Sequence, residues 1–214
     1  MKNYDDYLTF ALGKGRLSNK TMEIFEQAGI KCDEMKDPHS RKLIFTSEED
    51  KMRFFLSKGP DVPTYVEYGS ADIGVVGRDT ILEENRNVHE ILDLGFGKCR
   101  MCVAGPASAL DLLKGNRIRR VATKYPHIAK EYFYETKHQT VDIIKLNGSV
   151  ELGPLVELSD VIVDIVETGS TLRENDLSVV ARVAESSARV IRLMLPPFPP
   201  ASQPSYATIT GILR

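Results

Sequence analysis

The sequence lacks the features that mark several classes of protein. No apolar run approaches the ~20 residues of a membrane-spanning helix, and Met1–Tyr7 contains no apolar signal-peptide segment. Lys and Arg number 28 against 30 Asp and Glu, so binding of nucleic acid through excess positive charge is not expected. These absences predict a cytoplasmic globular protein.

Cysteine and histidine are too few and too scattered to suggest a metal centre. The three cysteines are Cys32, Cys99 and Cys102, and an odd number in a chain without a signal peptide argues against a disulfide framework. Cys99 and Cys102 have CxxC spacing, but no second pair or histidine cluster accompanies them, which favours two thiols on a buried strand. The sequence therefore does not predict a zinc site.

Short apolar runs alternate with amphipathic segments, which predicts an α/β protein with open, largely parallel sheets. The predicted strands are Leu8–Leu12, Lys42–Thr46, Lys51–Leu56, Asp72–Val76, Ile91–Leu94, Arg100–Ala104, Arg117–Thr123, Val141–Leu146, Val161–Val166, Leu177–Ala184 and Ala188–Leu195. The predicted helices are Asn19–Ala28 with Ser18 as its N-cap, two short helices beginning at Asp61 and after Asp79, Pro126–Glu135, Gly148–Leu158, and a turn after Thr171. Five prolines between Pro196 and Pro204 exclude regular structure there, although Tyr206–Ile212 could pair as a strand.

One strand exit carries the strongest functional signal. The apolar run Val161–Val166, interrupted only by Asp164, leads directly into Glu167-Thr-Gly-Ser-Thr171. Amides and hydroxyls at a strand-to-helix turn suit a phosphate, whereas Asp164 and Glu167 suit sugar hydroxyls or a metal. The combination predicts a site for a phosphorylated ribose.

Three other strand exits could contact a ligand, because ligands of open α/β sheets lie beyond the carboxyl ends of strands. Gly13–Arg16 combines two glycines with two cations but lacks the pattern of a P-loop. Asn147–Ser149 could hold an anion or simply cap a helix. Asp72 could contact a base or ribose or cap a turn, and the basic residues Arg53 and Lys58 are as consistent with solvation as with binding.

Five segments in order resemble the short form of the ATP phosphoribosyltransferase family. They are Ala11–Leu17, Asp61–Gly77, Val121–Pro126, Leu146–Leu152 and Val163–Leu172. The resemblance implies a two-lobe, periplasmic-binding-protein-like fold (type II) with mixed, mostly parallel sheets and an active site in the cleft between the lobes. It implies that residues 1–90 and 179–214 form lobe I and that residues 91–178 form lobe II.

The resemblance also implies a reaction and a set of site residues. The enzyme would transfer the 5-phosphoribosyl group of phosphoribosyl pyrophosphate to N1 of ATP, with Mg²⁺ carried by the substrates, and would assemble with a separate regulatory subunit related to histidyl-tRNA synthetase. Lys14, Arg16, Asp164 and Glu167 are assigned to catalysis. Phosphoribosyl pyrophosphate is assigned to Asp164, Glu167, Thr168, Gly169, Ser170, Thr171 and Leu172, and ATP to Gly13, Lys14, Gly15, Arg16, Lys58, Asp72, Asn147, Gly148 and Ser149.

Two other functions fit the same residues. A solute-binding or sensor protein of the same fold would bind its ligand without turnover, and another phosphoribosyltransferase would act on a free base. The sequence departs from nucleobase-salvage enzymes, which often place two adjacent acids before this loop, because Val163 precedes Asp164. The Pro-rich end also departs from the helical segment expected of short-form chains.

Overall fold

The computed structural model describes residues 6–37 and 40–194, and the Pro-rich segment and Tyr206–Ile212 lie outside these ranges. The chain forms two compact units. Among the described residues, unit 1 comprises residues 6–37, 40–97 and 187–194, and unit 2 comprises Lys98–Ser186. The boundaries expected at residues 90 and 178 fall within strand Val88–Asp93 and at the first residue of strand Ser178–Ser186.

Unit 1 is a six-stranded sheet flanked by helices. Its strands are β1 (Leu8–Gly13), β2 (Ile44–Ser47), β3 (Met52–Ser57), β4 (Ile73–Gly77), β5 (Val88–Asp93) and β11 (Ala188–Leu193), and its helices are α1 (Arg16–Gln27), α2 (Val62–Glu67) and α3 (Arg78–Glu84). Short 3₁₀ turns cover Asp33–Lys36 and Gly59–Asp61. The strand order is β2-β3-β1-β4-β11-β5, with β1 parallel to both β3 and β4 and with β2 and β11 antiparallel to their neighbours.

Three phenylalanines form the centre of the unit 1 core. Phe10 of β1, Phe25 of α1 and Phe54 of β3 are each at most 1% exposed, and their ring centroids lie 5.0–5.4 Å apart. Full burial of such a side chain contributes roughly 1.5–3 kcal/mol. This packing fixes α1 against the sheet and so fixes the turn that joins β1 to α1.

Unit 2 is a five-stranded sheet flanked by short helices. Its strands are β6 (Cys99–Gly105), β7 (Arg120–Thr123), β8 (Asp142–Lys145), β9 (Val161–Val166) and β10 (Ser178–Ser186), and its helices are α4 (Ala109–Lys114), α5 (Pro126–Lys130), α6 (Leu152–Leu155) and α7 (Ser170–Glu174). A π-helical turn, Glu131–Thr136, continues α5. The strand order is β10-β6-β9-β7-β8, with β7 parallel to β8 and β9, and β6 antiparallel to β9 and β10.

Strand β9 is a buried central strand, as its apolar run predicts. Val161, Ile162 and Val163 are at most 1% exposed. Because β7, β8 and β9 run in the same direction, their carboxyl ends lie along one edge of the sheet. The turns that follow these three strands are therefore neighbours.

Several predicted elements differ in the structure. Ser18 is not the N-cap of α1, because the helix begins at Arg16 and Gly15 (φ 121°) occupies that position. Ser18 is instead buried, and its hydroxyl donates a hydrogen bond to the Gly15 carbonyl at 2.8 Å. The helix expected over Gly148–Leu158 is reduced to α6, since Ser149 and Glu157 adopt left-handed conformations (φ 48° and 59°) that an α-helix does not allow. Helix α4 was not predicted.

The described helices are all too short or too polar to cross a membrane.

Candidate active site

The turn between β9 and α7 follows Val166 and contains Glu167–Gly169. Gly169 adopts φ 74°, a left-handed conformation that suits glycine, and it is the N-cap of α7. The Thr168 hydroxyl lies 3.1 Å from that of Ser170. Leu172 is 5% exposed and anchors α7 against the sheet. The turn therefore presents hydroxyls at the surface while its helix is fixed by an apolar side chain.

A cavity of about 290 Å³ lies beside this turn, entirely within unit 2. All seven residues predicted to bind phosphoribosyl pyrophosphate line it: Asp164, Glu167, Thr168, Gly169, Ser170, Thr171 and Leu172. The structure thus brings together residues that the sequence selected as one segment. Its lining also includes residues from other segments, among them Cys102 and Glu151, which the sequence did not indicate.

Cys102 is one of the residues that line this cavity. It is fully buried and stands directly opposite Asp164 of β9 and Arg182 of β10 in the sheet register. Burial raises the pKa of the Cys102 thiol, and the charges of Arg100 and Arg182 partly offset that rise. The residue is therefore a neutral thiol at neutral pH and is the cross-strand neighbour of Asp164, a candidate for binding the sugar.

Glu151 adds a third carboxylate to the cavity lining, beside Asp164 and Glu167. It is the N-cap of α6 and follows the turn that ends β8. Asn147, Gly148 and Ser149 of that turn are exposed. They lie at the same sheet edge, with β7 between β8 and β9. Two signals could have indicated Glu151: its position just after a strand exit, and its place within the family-like segment Leu146–Leu152.

Thr123 ends β7 and supports the edge between these two turns. Its side chain is 0% exposed, donates a hydrogen bond to the Val163 carbonyl at 2.6 Å, and accepts one from the Tyr125 amide at 2.8 Å. The next residue, Lys124, is exposed. This residue places a cation at the edge where the predicted ligand turns lie, and the sequence did not single it out.

In unit 1 the structure brings the Gly13–Arg16 turn next to Lys58. Gly13 of β1 pairs in register with Ser57 of β3, and the Lys14 amide donates a hydrogen bond to the Ser57 carbonyl at 2.9 Å. A side chain on Gly13 would lie 3.1 Å from the Gly59 Cα, so the two backbones approach closely. Lys14, Arg16 and Lys58 are all exposed at this edge.

Asp72 does not lie at the sheet edge that carries the Gly13–Arg16 turn. It precedes β4, and its carboxylate accepts a hydrogen bond from the Thr9 amide near the start of β1 at 2.8 Å. Because β1 and β4 are parallel, this position is the amino-terminal edge of the sheet, opposite the Gly13–Arg16 turn. The structure does not bring Asp72 together with the other candidates of unit 1.

A second cavity in unit 1, of about 430 Å³, lies beside α1 and contains none of the predicted site residues. Across residues 6–37 and 40–194, no three His, Cys, Asp or Glu side chains are grouped so that they could hold a metal ion.

Comparison with known proteins identifies the family. A model of HisG, described as ATP phosphoribosyltransferase, matches residues 58–195. The ATP phosphoribosyltransferase of Lachnoclostridium phytofermentans is 70% identical over 185 residues, which cover 86% of each chain. This chain belongs to the ATP phosphoribosyltransferase family. The family predicted from the five sequence segments is confirmed.

Solved structures agree with this assignment. A HisG:HisZ ATP phosphoribosyl transferase complex from Thermotoga maritima contains a chain that is 33% identical, with a TM-score of 0.72 over 86% of this chain and 87% of that one. A histidine kinase sensor domain described as similar to periplasmic binding proteins is 14% identical, with a TM-score of 0.56 over 97% of this chain and 86% of that one. The second likeness concerns the fold alone, and it confirms the predicted fold class.

Proposed function

We propose that this chain transfers the 5-phosphoribosyl group of phosphoribosyl pyrophosphate to N1 of ATP, the first step of histidine biosynthesis. The N1 lone pair forms the new bond to the ribose C1, and the bond from C1 to the pyrophosphate oxygen breaks as pyrophosphate leaves with that electron pair. The observation that carries the proposal is the cavity of unit 2, because hydroxyls and carboxylates suited to a ribose phosphate line it together.

The turn is proposed to hold the 5-phosphate. The amides and hydroxyls of Thr168–Thr171 offer several donors to one anion, and the buried Leu172 holds them in place. A phosphate in this position would leave the ribose over the carboxyl end of β9. Asp164 and Glu167 are proposed to accept hydrogen bonds from the ribose hydroxyls.

The reaction needs no covalent nucleophile. Positive charge develops on the ribose and negative charge on pyrophosphate in the transition state, so catalysis is mainly positioning and electrostatic stabilisation. The carboxylates of Asp164 and Glu167 suit the developing positive charge. In unit 1, Lys14 and Arg16 are proposed to neutralise pyrophosphate or the phosphates of ATP.

The remaining ATP candidates have unequal support. Gly13, Gly15 and Lys58 accompany Lys14 and Arg16 at one sheet edge, which favours a shared role in phosphate binding. Asn147, Gly148 and Ser149 are proposed to contact ATP from the β8 exit. A role for Asp72 in ATP binding has the weakest support, because the Thr9 amide already bonds its carboxylate.

Mg²⁺ is proposed to enter with the phosphates of the two substrates. Mg²⁺ prefers oxygen ligands and keeps several waters, so substrate phosphates can supply most of its coordination. The carboxylates of Glu151, Asp164 and Glu167 line the same cavity and have the donor chemistry to supplement those ligands.

A separate regulatory subunit is proposed as the partner of this chain, of the kind related to histidyl-tRNA synthetase. The support is the solved relative from Thermotoga maritima, which is a complex of HisG with HisZ. We propose that the enzyme acts in the cytoplasm, as expected of a biosynthetic step.

The deciding experiment measures pyrophosphate release from phosphoribosyl pyrophosphate with Mg²⁺, using ATP or adenine as acceptor, with and without the regulatory subunit. Release with ATP but not with adenine is expected. Release with adenine would instead indicate a phosphoribosyltransferase acting on a free base. No release with either acceptor in the presence of the partner would indicate a binding or sensor protein.

The phosphate assignment is tested by Thr171→Leu. Thr171 is exposed and lines the cavity, so a larger apolar side chain should obstruct the ligand without disturbing the core. We expect the affinity for phosphoribosyl pyrophosphate to fall about tenfold or more, the equivalent of one lost charge-assisted hydrogen bond. Calorimetry that shows unchanged affinity would refute the assignment of Thr171 to the ligand.

A further inference from the structure

The cavity beside the β9–α7 turn has an unusual charge for the ligand proposed above. Three carboxylates line it, those of Glu151, Asp164 and Glu167, and within the described part of the chain no Lys or Arg side chain does. A phosphate monoester carries up to two negative charges at neutral pH. Helix α7 contains only five residues, so it supplies little of the macrodipole that a longer helix would offer. The turn therefore needs a cation from outside the lining.

Arg173 supplies a cation that contacts the turn directly. Its Nη1 donates a hydrogen bond to the Thr168 carbonyl at 3.1 Å. A Cβ built on Gly169 would lie 3.3 Å from the same nitrogen, so the guanidinium lies directly against the backbone of the turn. The Arg173 amide also donates to the Gly169 carbonyl at 3.2 Å. Both the main chain and the side chain of Arg173 are thus bonded to the turn.

The charge of Arg173 is not neutralised by a protein carboxylate. Its side chain makes no ion pair within 4.0 Å among the residues that the structure describes, and it is exposed. A neutral carbonyl accepts only one of the five N–H donors of the guanidinium, which stays protonated at any physiological pH. A full positive charge therefore remains within a few ångströms of the amides of the turn.

We infer that Arg173 is a positioning residue for the 5-phosphate, an inference that rests on the proposed function. Its bond to the Thr168 carbonyl holds that peptide so that the following amides stay directed toward the ligand. Its charge lies behind those amides and favours a dianion in front of them. Arg173 acts through the turn and need not touch the phosphate, so it contributes to binding more than to the chemical step.

The test compares Arg173→Gln and Arg173→Lys with the wild-type chain, together with the regulatory subunit. The readouts are KM and kcat, and the affinities for ribose 5-phosphate and for pyrophosphate measured by calorimetry. Arg119→Gln serves as the control, because Arg119 is exposed and precedes β7, at the opposite edge of the same sheet. Thermal melting of each variant reports whether the fold is intact.

For R173Q we expect about a tenfold weaker affinity for ribose 5-phosphate and a similar rise in the KM for phosphoribosyl pyrophosphate, the usual scale of one charge-assisted interaction. The affinity for pyrophosphate and the KM for ATP should change less than about twofold, because neither ligand places a 5-phosphoribosyl group in the turn. R173K should recover part of the loss, since it restores the charge but not the planar donor geometry. R119Q should match the wild type.

Unchanged ribose 5-phosphate affinity in a folded R173Q variant would overturn the inference, and so would equal losses for ribose 5-phosphate and pyrophosphate. If R173Q does not fold, R173K decides: affinity lost selectively for ribose 5-phosphate supports the role, and wild-type affinity for both ligands overturns it. Absence of pyrophosphate release by the wild type would refute the proposed reaction instead, and ribose 5-phosphate binding would still test Arg173.

Discussion

Two turns, one in each unit, each follow a strand and lead into a helix through a glycine with positive φ, but they carry different side chains. The Gly13–Arg16 turn joins β1 to α1, and the Glu167–Gly169 turn joins β9 to α7. Each places a glycine with positive φ at the N-cap of its helix, at 121° for Gly15 and 74° for Gly169. The side chains differ: the first turn carries two cations, whereas the second carries the carboxylate of Glu167 and the hydroxyl of Thr168, and Arg173 donates a hydrogen bond to its Thr168 carbonyl.

The two sets of side chains favour different ligand groups. Exposed cations such as Lys14 and Arg16 suit phosphate groups that require only charge compensation. Hydroxyls beside carboxylates suit a ligand that has a phosphate at one end and a sugar at the other. In both proposed roles the backbone positions the chemical groups, and the side chains would determine which part of a substrate is bound.

The largest expected effect is on kinetics, where substitutions in the two turns should change different parameters. Asp164→Asn removes a negative charge proposed to face the ribose while it becomes positive, so we expect kcat/KM for phosphoribosyl pyrophosphate to fall about 100-fold. Lys14→Gln in the other turn should mainly raise KM, by about tenfold. Steady-state kinetics on both variants measure this contrast, and equal losses in kcat would remove the distinction between the turns.

Replacing Gly15 or Gly169 with alanine should lower the free energy of unfolding by different amounts. Gly15 adopts φ 121° and ψ −151°, a region that residues with a Cβ rarely adopt, and Gly15→Ala should destabilise the fold by about 2 kcal/mol. Gly169 is in the ordinary left-handed region, so Gly169→Ala should cost about 1 kcal/mol and also move Arg173. Urea unfolding gives the free energies. A larger loss in G169A than in G15A would contradict the backbone argument.

In unit 2, the Thr123 side chain connects the ends of β7 and β9 through a hydrogen bond. In unit 1, the corresponding connection between β1 and β3 is a backbone hydrogen bond from the Lys14 amide to the Ser57 carbonyl. Thr123→Val keeps the shape but leaves the Val163 carbonyl and the Tyr125 amide without the partner each now has in the Thr123 hydroxyl. We expect a loss of roughly 1–2 kcal/mol and weaker phosphoribosyl pyrophosphate binding. Thr123→Ser retains the hydroxyl and is the matched control. Equal stability of the Ser and Val variants would show that the hydroxyl is dispensable.

The smallest expected effect concerns the buried thiols, one in each unit. Burial raises the pKa of both Cys32 and Cys102 in the folded protein. The folded state therefore holds these protons more tightly than the unfolded state. Their contribution to stability is complete below the ordinary thiol pKa of about 8.5 and is lost as the pH rises through the folded value.

Unfolding free energies measured from pH 8 to pH 10 should therefore fall as the pH rises. Cys102→Ala should reduce that slope, and the double variant with Cys32→Ala should reduce it further. A slope unchanged in the double variant would show that other groups cause the alkaline loss.

Much of the fold was predictable because its signals are local. The run Val161–Val166 is apolar enough to indicate a strand buried on both faces, and the structure confirms it. The residues after it were predicted as one ligand segment, and all of them line one cavity. Neighbours along a chain stay neighbours in space, so a turn is the easiest site to find from sequence.

Element ends were less predictable where backbone conformation competes with side-chain preference. Ser18 resembles an N-cap, but Gly15 takes that position because its unusual φ allows the chain to turn earlier. The helix expected over Gly148–Leu158 is shorter at both ends and covers only Leu152–Leu155, because residues in left-handed conformations lie on either side of it. Side-chain capping preferences contribute only about 1 kcal/mol, which tertiary packing readily overrides.

The sequence by itself determined the family, the alternation of strands and helices, and the segment predicted to bind phosphate, because each can be recognised in short stretches of the chain without knowing how those stretches pack. Only the tertiary structure decided that Glu151 and Cys102 share a cavity with Asp164, that Asp72 lies at the opposite sheet edge, and that Arg173 folds back onto the turn. These placements depend on strand order, strand direction and register. Pairing between segments distant in the chain sets all three, and no local pattern encodes it.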